Sequence, residues 1–205
     1  MDFVLDALPL VAAVLATPQY VPQIRRLHRT GDTAGVSWAW AALTSLHNTA
    51  WFAYFTLSGY WSAMVPSSAA ALLAGVVAVM LARRGCGSVR TATLVGAWAA
   101  TLGAAYVVAG RAGLGGLLTA AAIVQLAPPL RAAYRTARPT GIAAGTWVLL
   151  FAELSCWLAF GLHRSDPRLV ILGATGVTAS TLILARVAHA GRGFSRLGTR
   201  PARGG

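Results

Sequence analysis

Residues 19–51, QYVPQIRRLHRTGDTAGVSWAWAALTSLHNTAW, recur without a gap 106 residues later as residues 125–157, QLAPPLRAAYRTARPTGIAAGTWVLLFAELSCW. Gln19 falls on Gln125, Pro22 on Pro128, Arg25 on Arg131, Thr30 on Thr136, Gly35 on Gly141, Trp51 on Trp157 and Ala53 on Ala159. The chain is an internal duplication, and self-similarity of this kind decides architecture before local propensity does. Each copy reads as an apolar helix interrupted near its end by Gln and Pro, an Arg-rich turn, and a second apolar helix that carries a Trp.

Hydrophobic residues make up 57% of the 205 positions and charged ones only 11%, against about a quarter charged in soluble domains. Apolar runs approaching the roughly 20 residues needed to cross hydrocarbon begin at Phe3, Ala34, Ser62, Ala92, Leu114, Ile142 and Leu169. The reading is an all-α integral membrane protein with seven transmembrane helices. The first run is acidic at its start and has no Lys or Arg before it, so it lacks the n-region of a cleaved signal peptide and is expected to stay in the mature chain.

The net charge of +12 raises nucleic acid as a partner, but the distribution of Arg opposes it. Arg25, Arg26 and Arg29 follow the first segment, Arg83, Arg84 and Arg90 the third, Arg131, Arg135 and Arg138 the fifth, and Arg186, Arg192, Arg196, Arg200 and Arg203 close the chain. If seven segments alternate, all of these share one side, and Arg111, Arg164 and Arg168 lie opposite. The positive-inside rule then places the N-terminus outside and the C-terminus in the cytoplasm. Anionic lipid headgroups account for the charge. The chain holds no Lys, which matches a GC-rich genome without bearing on the physics. The expected location is a plasma membrane, that of a bacterium. Cys86 in a cytoplasmic loop and Cys156 within a span predict no disulfide, and no metal-ligand spacing occurs.

Segment 1, residues 3–24, ends in Thr17-Pro18-Gln19-Tyr20-Val21-Pro22-Gln23, where each Pro removes a donor and crowds the preceding turn. Gln19 and Gln23 can serve the freed carbonyls. A Pro near the end of a membrane helix is often merely tolerated, but recurrence as Gln125, Pro128 and Pro129 favours a hinge. A basic loop, residues 25–33, leads to segment 2, residues 34–57. There Trp40, Thr44, His47, Asn48, Trp51 and Phe55 share one helical face, while Trp38 and Tyr54 are expected at the interfacial belts. A tight turn over residues 58–61 precedes segment 3, residues 62–82, whose Ala, Gly and Ser permit close helix contact.

The expected organisation is a three-helix repeat over 1–82, a cytoplasmic loop plus linker helix over 83–113, and a second three-helix repeat over 114–187. A basic, disordered tail is expected over 188–205. Three segments per repeat is odd, so two copies joined directly would point opposite ways. One extra crossing, segment 4 (residues 92–109), makes them parallel, related by an axis along the membrane normal. Segments 5, 6 and 7 cover 114–130, 142–162 and 169–185.

The Pro-Gln turn at Thr17-Pro18-Gln19, the basic loop, the small-residue start and Trp51-Phe52-Ala53-Tyr54 resemble the PQ-loop superfamily, most closely the SWEET and SemiSWEET sugar transporters. Gln125-Leu126-Ala127-Pro128 and Trp157-Leu158-Ala159-Phe160 are the weaker second copy. The resemblance covers nearly the whole chain. It implies uniport of a small sugar by alternating access, through a pocket lined by the second and third helices of both halves. By position the family's pocket Trp falls on Trp51 and Trp157, the polar residue three before it on Asn48 and Leu154, and the third-helix Asn on Ser67 and Gly173. The family's second-helix prolines are absent.

Glu153 lies mid-span, at the position equivalent to His47. A carboxylate at that depth must be protonated, paired or hydrated, and intramembrane acids are functional candidates. Glu153 and His47 read either as a pair that locks the halves together or as a proton site for coupled transport. Trp51 and Trp157 read as packing aromatics or, with Asn48 and Ser155 beside them, as pocket walls. The rivals to a sugar transporter are a proton-coupled amino-acid or amine carrier, like the lysosomal PQ-loop proteins, and a non-transporting receptor or accessory protein with the same fold. An enzyme is not expected: no nucleophile and base pair or phosphate loop is visible. Of the five acids, Asp2, Asp6, Asp32 and Asp166 are expected at or near water. The partners implied are a small polar solute and the bilayer, with a homo-oligomer left open and no cofactor.

Overall fold

A computed structural model describes residues 2–31, 33, 36–135 and 144–197, with the backbone alone at 2, 19 and 190–197. The described residues form helices and no strands: α1 (Asp2–Asp6), α2 (Leu8–Ala16), a 3-10 turn (Thr17–Gln19), α3 (Tyr20–Thr30), α4 (Trp38–Ser58), α5 (Trp61–Ala82), α6 (Val89–Arg135), α7 (Ala144–His163) and α8 (Pro167–Leu197). Among the described residues, five stretches are long and apolar enough to cross a membrane: Phe3–Thr30, Trp61–Ala82, Val89–Arg135, Ala144–His163 and Pro167–His189. The protein is a multi-pass membrane protein.

The chain is punctuated where its chemistry requires it. Ser37 caps α4 by accepting from the Trp40 N–H at 3.2 Å, as N-cap hydroxyls do. α4 stops at Gly59, whose φ of +69° is left-handed and free of penalty only for glycine. α6 is 47 residues long, and a straight helix of that length would span about 70 Å, more than twice the hydrocarbon thickness. It breaks at Ala109 and Gly110, where the dihedrals leave the helical region. That break falls between the expected segments 4 and 5. α4 is absent from the five apolar stretches because Thr44, His47, Asn48 and Thr49 lower its hydropathy.

Packing repeats across the two halves. α5 contacts both α2 and α4, and α8 contacts both α6 and α7. The halves meet where α2 packs on α7 and α4 on α6, two contacts that the duplication exchanges. Small residues allow the tight seams. In the first half the Ser45 hydroxyl donates to the Ala71 carbonyl at 2.9 Å. In the second, Gly161, Gly173 and Gly176 lie against Leu169, Leu158 and Leu154.

Several expectations need correction. The basic stretch after segment 1 is helix through Thr30 rather than loop, because α3 is amphipathic: Leu27 is buried while Arg25, Arg26, His28 and Arg29 are exposed. The tail expected to be disordered from residue 188 continues α8 through Leu197; residues 198–205 lie outside the described residues. So do 136–143, with Thr136, Arg138 and Gly141, and also Asp32 and Gly35. Tyr54 belongs to the core, not to a belt, since its side chain is fully buried. Asp166 is buried at 5% exposure rather than solvated, because it caps α8 and is bonded by Tyr54. Helix 1 carries a further irregularity at Ala7, ahead of Pro9.

Candidate functional site

A cavity of about 360 Å³ lies between the halves. Its walls are built in pairs 106 residues apart: Ala16 with Ala122, Tyr20 with Leu126, Thr44 with Leu150, and His47 with Glu153. Asn48 with Leu154, Trp51 with Trp157, and Pro66 with Leu172 complete the set. The α4 stripe of Trp40, Thr44, His47, Asn48, Trp51 and Phe55 faces this space throughout. A stripe of that spacing is one face of a helix, and its polar residues Thr44, His47 and Asn48 are only partly exposed, as polar groups within a span are where they face the bundle interior.

The same local device recurs in both halves. The Trp51 indole N–H donates to His47 Nε2 at 3.0 Å, one turn earlier. Trp157 likewise stands one turn after Glu153, on the same wall of the cavity. An indole nitrogen can only donate, so Nε2 of His47 is an acceptor and the proton of the neutral ring sits on Nδ1. His47 Nδ1 is buried and has no hydrogen-bond partner. Glu153 is the single carboxyl and no Arg lines the cavity among the described residues.

The two tryptophans do not face each other across open space. Phe55 lies between them, stacked on Trp51 at 5.4 Å and 21° and on Trp157 at 5.4 Å and 5°. All three are buried. This three-ring stack closes the cavity on one side, and the space extends from it toward Tyr20 and Trp40, themselves stacked at 6.3 Å.

Beyond the stack, the ends of the helices are tied across the halves. The Tyr54 hydroxyl donates to Asp166, and Asp166 also accepts from the Arg168 N–H at 3.1 Å. The Arg168 guanidinium reaches the Ala112 carbonyl at 3.3 Å. Asp6 pairs with Arg164 at 2.8 Å and with His163 at 3.1 Å. Tyr60 meets Phe160 edge to face at 5.5 Å, and burial, then the Asp166 carboxylate, raises the Tyr60 phenol. The end of α1, the C-termini of α4 and α7, the N-terminus of α8 and the start of the second part of α6 thus lie together. At the opposite end Arg84 donates to the Leu27 carbonyl at 2.6 Å.

The remaining site candidates divide. Asn48 lines the cavity but donates its amide to the Thr44 carbonyl at 2.9 Å. Ser67 also lines it, with its hydroxyl turned to the Ala63 carbonyl at 3.0 Å. Gln125, expected at a hinge, is on the cavity wall. Ser155 and Gly173 are not. Ser155 donates to the Phe151 carbonyl at 2.7 Å, and Gly173 is buried where a Cβ would lie 2.5 Å from the Leu158 nitrogen. Gly173 serves helix packing, because α8 crosses α7 there.

The prolines behave differently in the two copies. Pro18 sits in the 3-10 turn, whereas α6 stays helical through Pro128 and Pro129. Pro18 and Pro22 are exposed and border a shallow apolar groove rather than the cavity; the Gln19 side chain lies outside the described residues. Sequence reasoning missed Tyr20 and Pro66 on the wall, and Pro66 inside α5 was a visible signal. The chain matches no protein-family model and no curated protein.

Proposed function

We propose that the chain is a seven-pass transporter that moves a small polar solute, a sugar, by alternating access between two like-oriented three-helix units. The break in α6 divides it into the linker helix and the first helix of the second unit, and the Arg-rich ends face the cytoplasm. The observation that carries this reading is the cavity built from duplicated positions, from Ala16 and Ala122 through Trp51 and Trp157. Its 360 Å³ lies near the lower end of the roughly 300–1,000 Å³ of small-molecule sites. The Gln125 amide and the Glu153 carboxyl on the wall offer a donor and an acceptor to a hydroxyl-bearing ligand. The aromatic stack and the Tyr54 and Asp166 contact close the outer side, so the form described is the one shut to the exterior.

The test is uptake into proteoliposomes of labelled monosaccharides and, separately, amino acids. Saturable sugar uptake supports the reading; no uptake above protein-free liposomes of any solute leaves the receptor or accessory alternative. One observation favours a second reading, a proton-coupled amino-acid or amine carrier. Glu153 is a lone carboxyl on the wall with no Arg beside it, an arrangement suited to a cationic group or a proton. Dependence of amino-acid uptake on an imposed pH gradient would select it over sugar uniport.

A further inference from the structure

A second groove, of about 720 Å³, runs between α4 and both parts of α6. Leu43, Trp98, Leu117 and Val124 form its outer walls, and its inner edge is made by His47, Asn48 and Gln125, which also line the central cavity. On the symmetry-related side α2 packs on α7, and the helix that carries Trp98 has no counterpart in the repeat. The unduplicated part of α6 therefore supplies this groove with a wall that the repeat alone lacks.

Its position limits what can fill it. Val124 is 69% exposed, Trp40 50% and Leu43 37%, so the slot opens sideways along helices that cross the membrane. A void there would forfeit the dispersion contacts of its lining, and apolar walls offer a chain of waters too few partners. A flexible hydrocarbon chain meets neither penalty. We infer that this groove is a binding site for the acyl chain of a membrane phospholipid, which lies along the apolar walls formed by Leu43, Trp98, Leu117 and Val124. The inference rests on the membrane-spanning character of the chain and stands whether or not the cavity carries a solute.

The test uses vesicles of phosphatidylcholine with a diazirine near the end of one acyl chain. The protein is extracted from them into detergent, washed and irradiated, and the labelled residues are mapped by mass spectrometry. Retained chains should label Leu43, Trp98, Leu117 and Val124 several-fold more than Leu72, Val107 and Val108, which are 71%, 82% and 85% exposed and lie outside its lining. Ala121→Trp, placed in the groove wall, should remove that labelling. Even labelling of all exposed apolar positions, or unchanged labelling in a folded Ala121→Trp protein, overturns the site. Should that variant fail to give a monodisperse protein, competition by unlabelled phosphatidylcholine decides, since labelling of the groove that excess lipid does not reduce also overturns it.

Discussion

Removing the Tyr54 hydroxyl tests the proposed outer closure most directly. Tyr54 is fully buried and Asp166 is 5% exposed, so the lost bond cannot be replaced by bulk water while the ends stay together. Asp166 would keep the Arg168 N–H and the more distant Arg168 guanidinium at 3.9 Å, but it would lose its shortest partner. A hydrogen bond to a charged group contributes about 1.5–3 kcal/mol. Because Tyr54 belongs to the first half and Asp166 to the second, that energy is present only while the outer ends touch. Tyr54→Phe should therefore shift the closed-to-open equilibrium by about 10- to 150-fold. Spin labels at Leu57→Cys and Leu162→Cys, 47% and 61% exposed at the ends of α4 and α7, in a background free of Cys86 and Cys156, would report it. A longer-distance population should grow in Tyr54→Phe. A distance distribution indistinguishable from the parent would refute the assignment of this contact as the closure.

Glu153→Gln keeps the shape while removing the ionisable proton; if Glu153 carries coupling, stimulation of uptake by a pH gradient disappears while downhill exchange continues, and gradient dependence equal to the parent's rejects the role. Gly173→Ala would place a Cβ 2.5 Å from the Leu158 nitrogen and 2.6 Å from its Cα, and backbone cannot yield as a side chain can. The expected cost is about 1–3 kcal/mol or more, read as a lower Tm in detergent, and an unchanged Tm would show that α8 does not lie this close to α7. Phe55→Ala removes a ring held between two indoles and should cost about 3–5 kcal/mol, with a red shift of tryptophan emission as water reaches Trp51 and Trp157; a blue-shifted or unaltered spectrum would contradict the stack.

The register of the duplication and the face of α4 were readable because both follow from periodicity. An offset of 106 pairs the cavity walls, and a spacing of three and four aligns Trp40 through Phe55. What could not be read was the partner of each group across the halves. Tyr54, three residues beyond Trp51, looks like a belt residue until Asp166 is known to lie beside it. Asp166 looks solvated because its neighbours Arg164, Ser165 and Pro167 form a polar turn. Gly173 was expected at the pocket by position, yet glycine also answers a packing need, and only the approach of Leu158 distinguishes the two. The helical course of residues 25–30 was hidden by their Arg content, which marks a membrane boundary but does not forbid helix.

The two halves agree where geometry demands it and diverge where chemistry would be costly twice. Shifted by 106 residues, the contact between Tyr54 and Asp166 becomes the contact between Phe160 and Tyr60, and both occur, one as a hydrogen bond and the other as an edge-to-face ring pair. The same holds inside the cavity, where each indole stands one turn after a polar residue, a histidine in one half and a carboxyl in the other. A symmetric pair of identical units would have to bury a carboxylate at every equivalent point, and each buried ion costs several kcal/mol unless fully partnered. Joining the copies in one chain removes that obligation. One acid at each level keeps the polar contact, and its counterpart can be an aromatic ring or an imidazole that packs without bringing in a second charge.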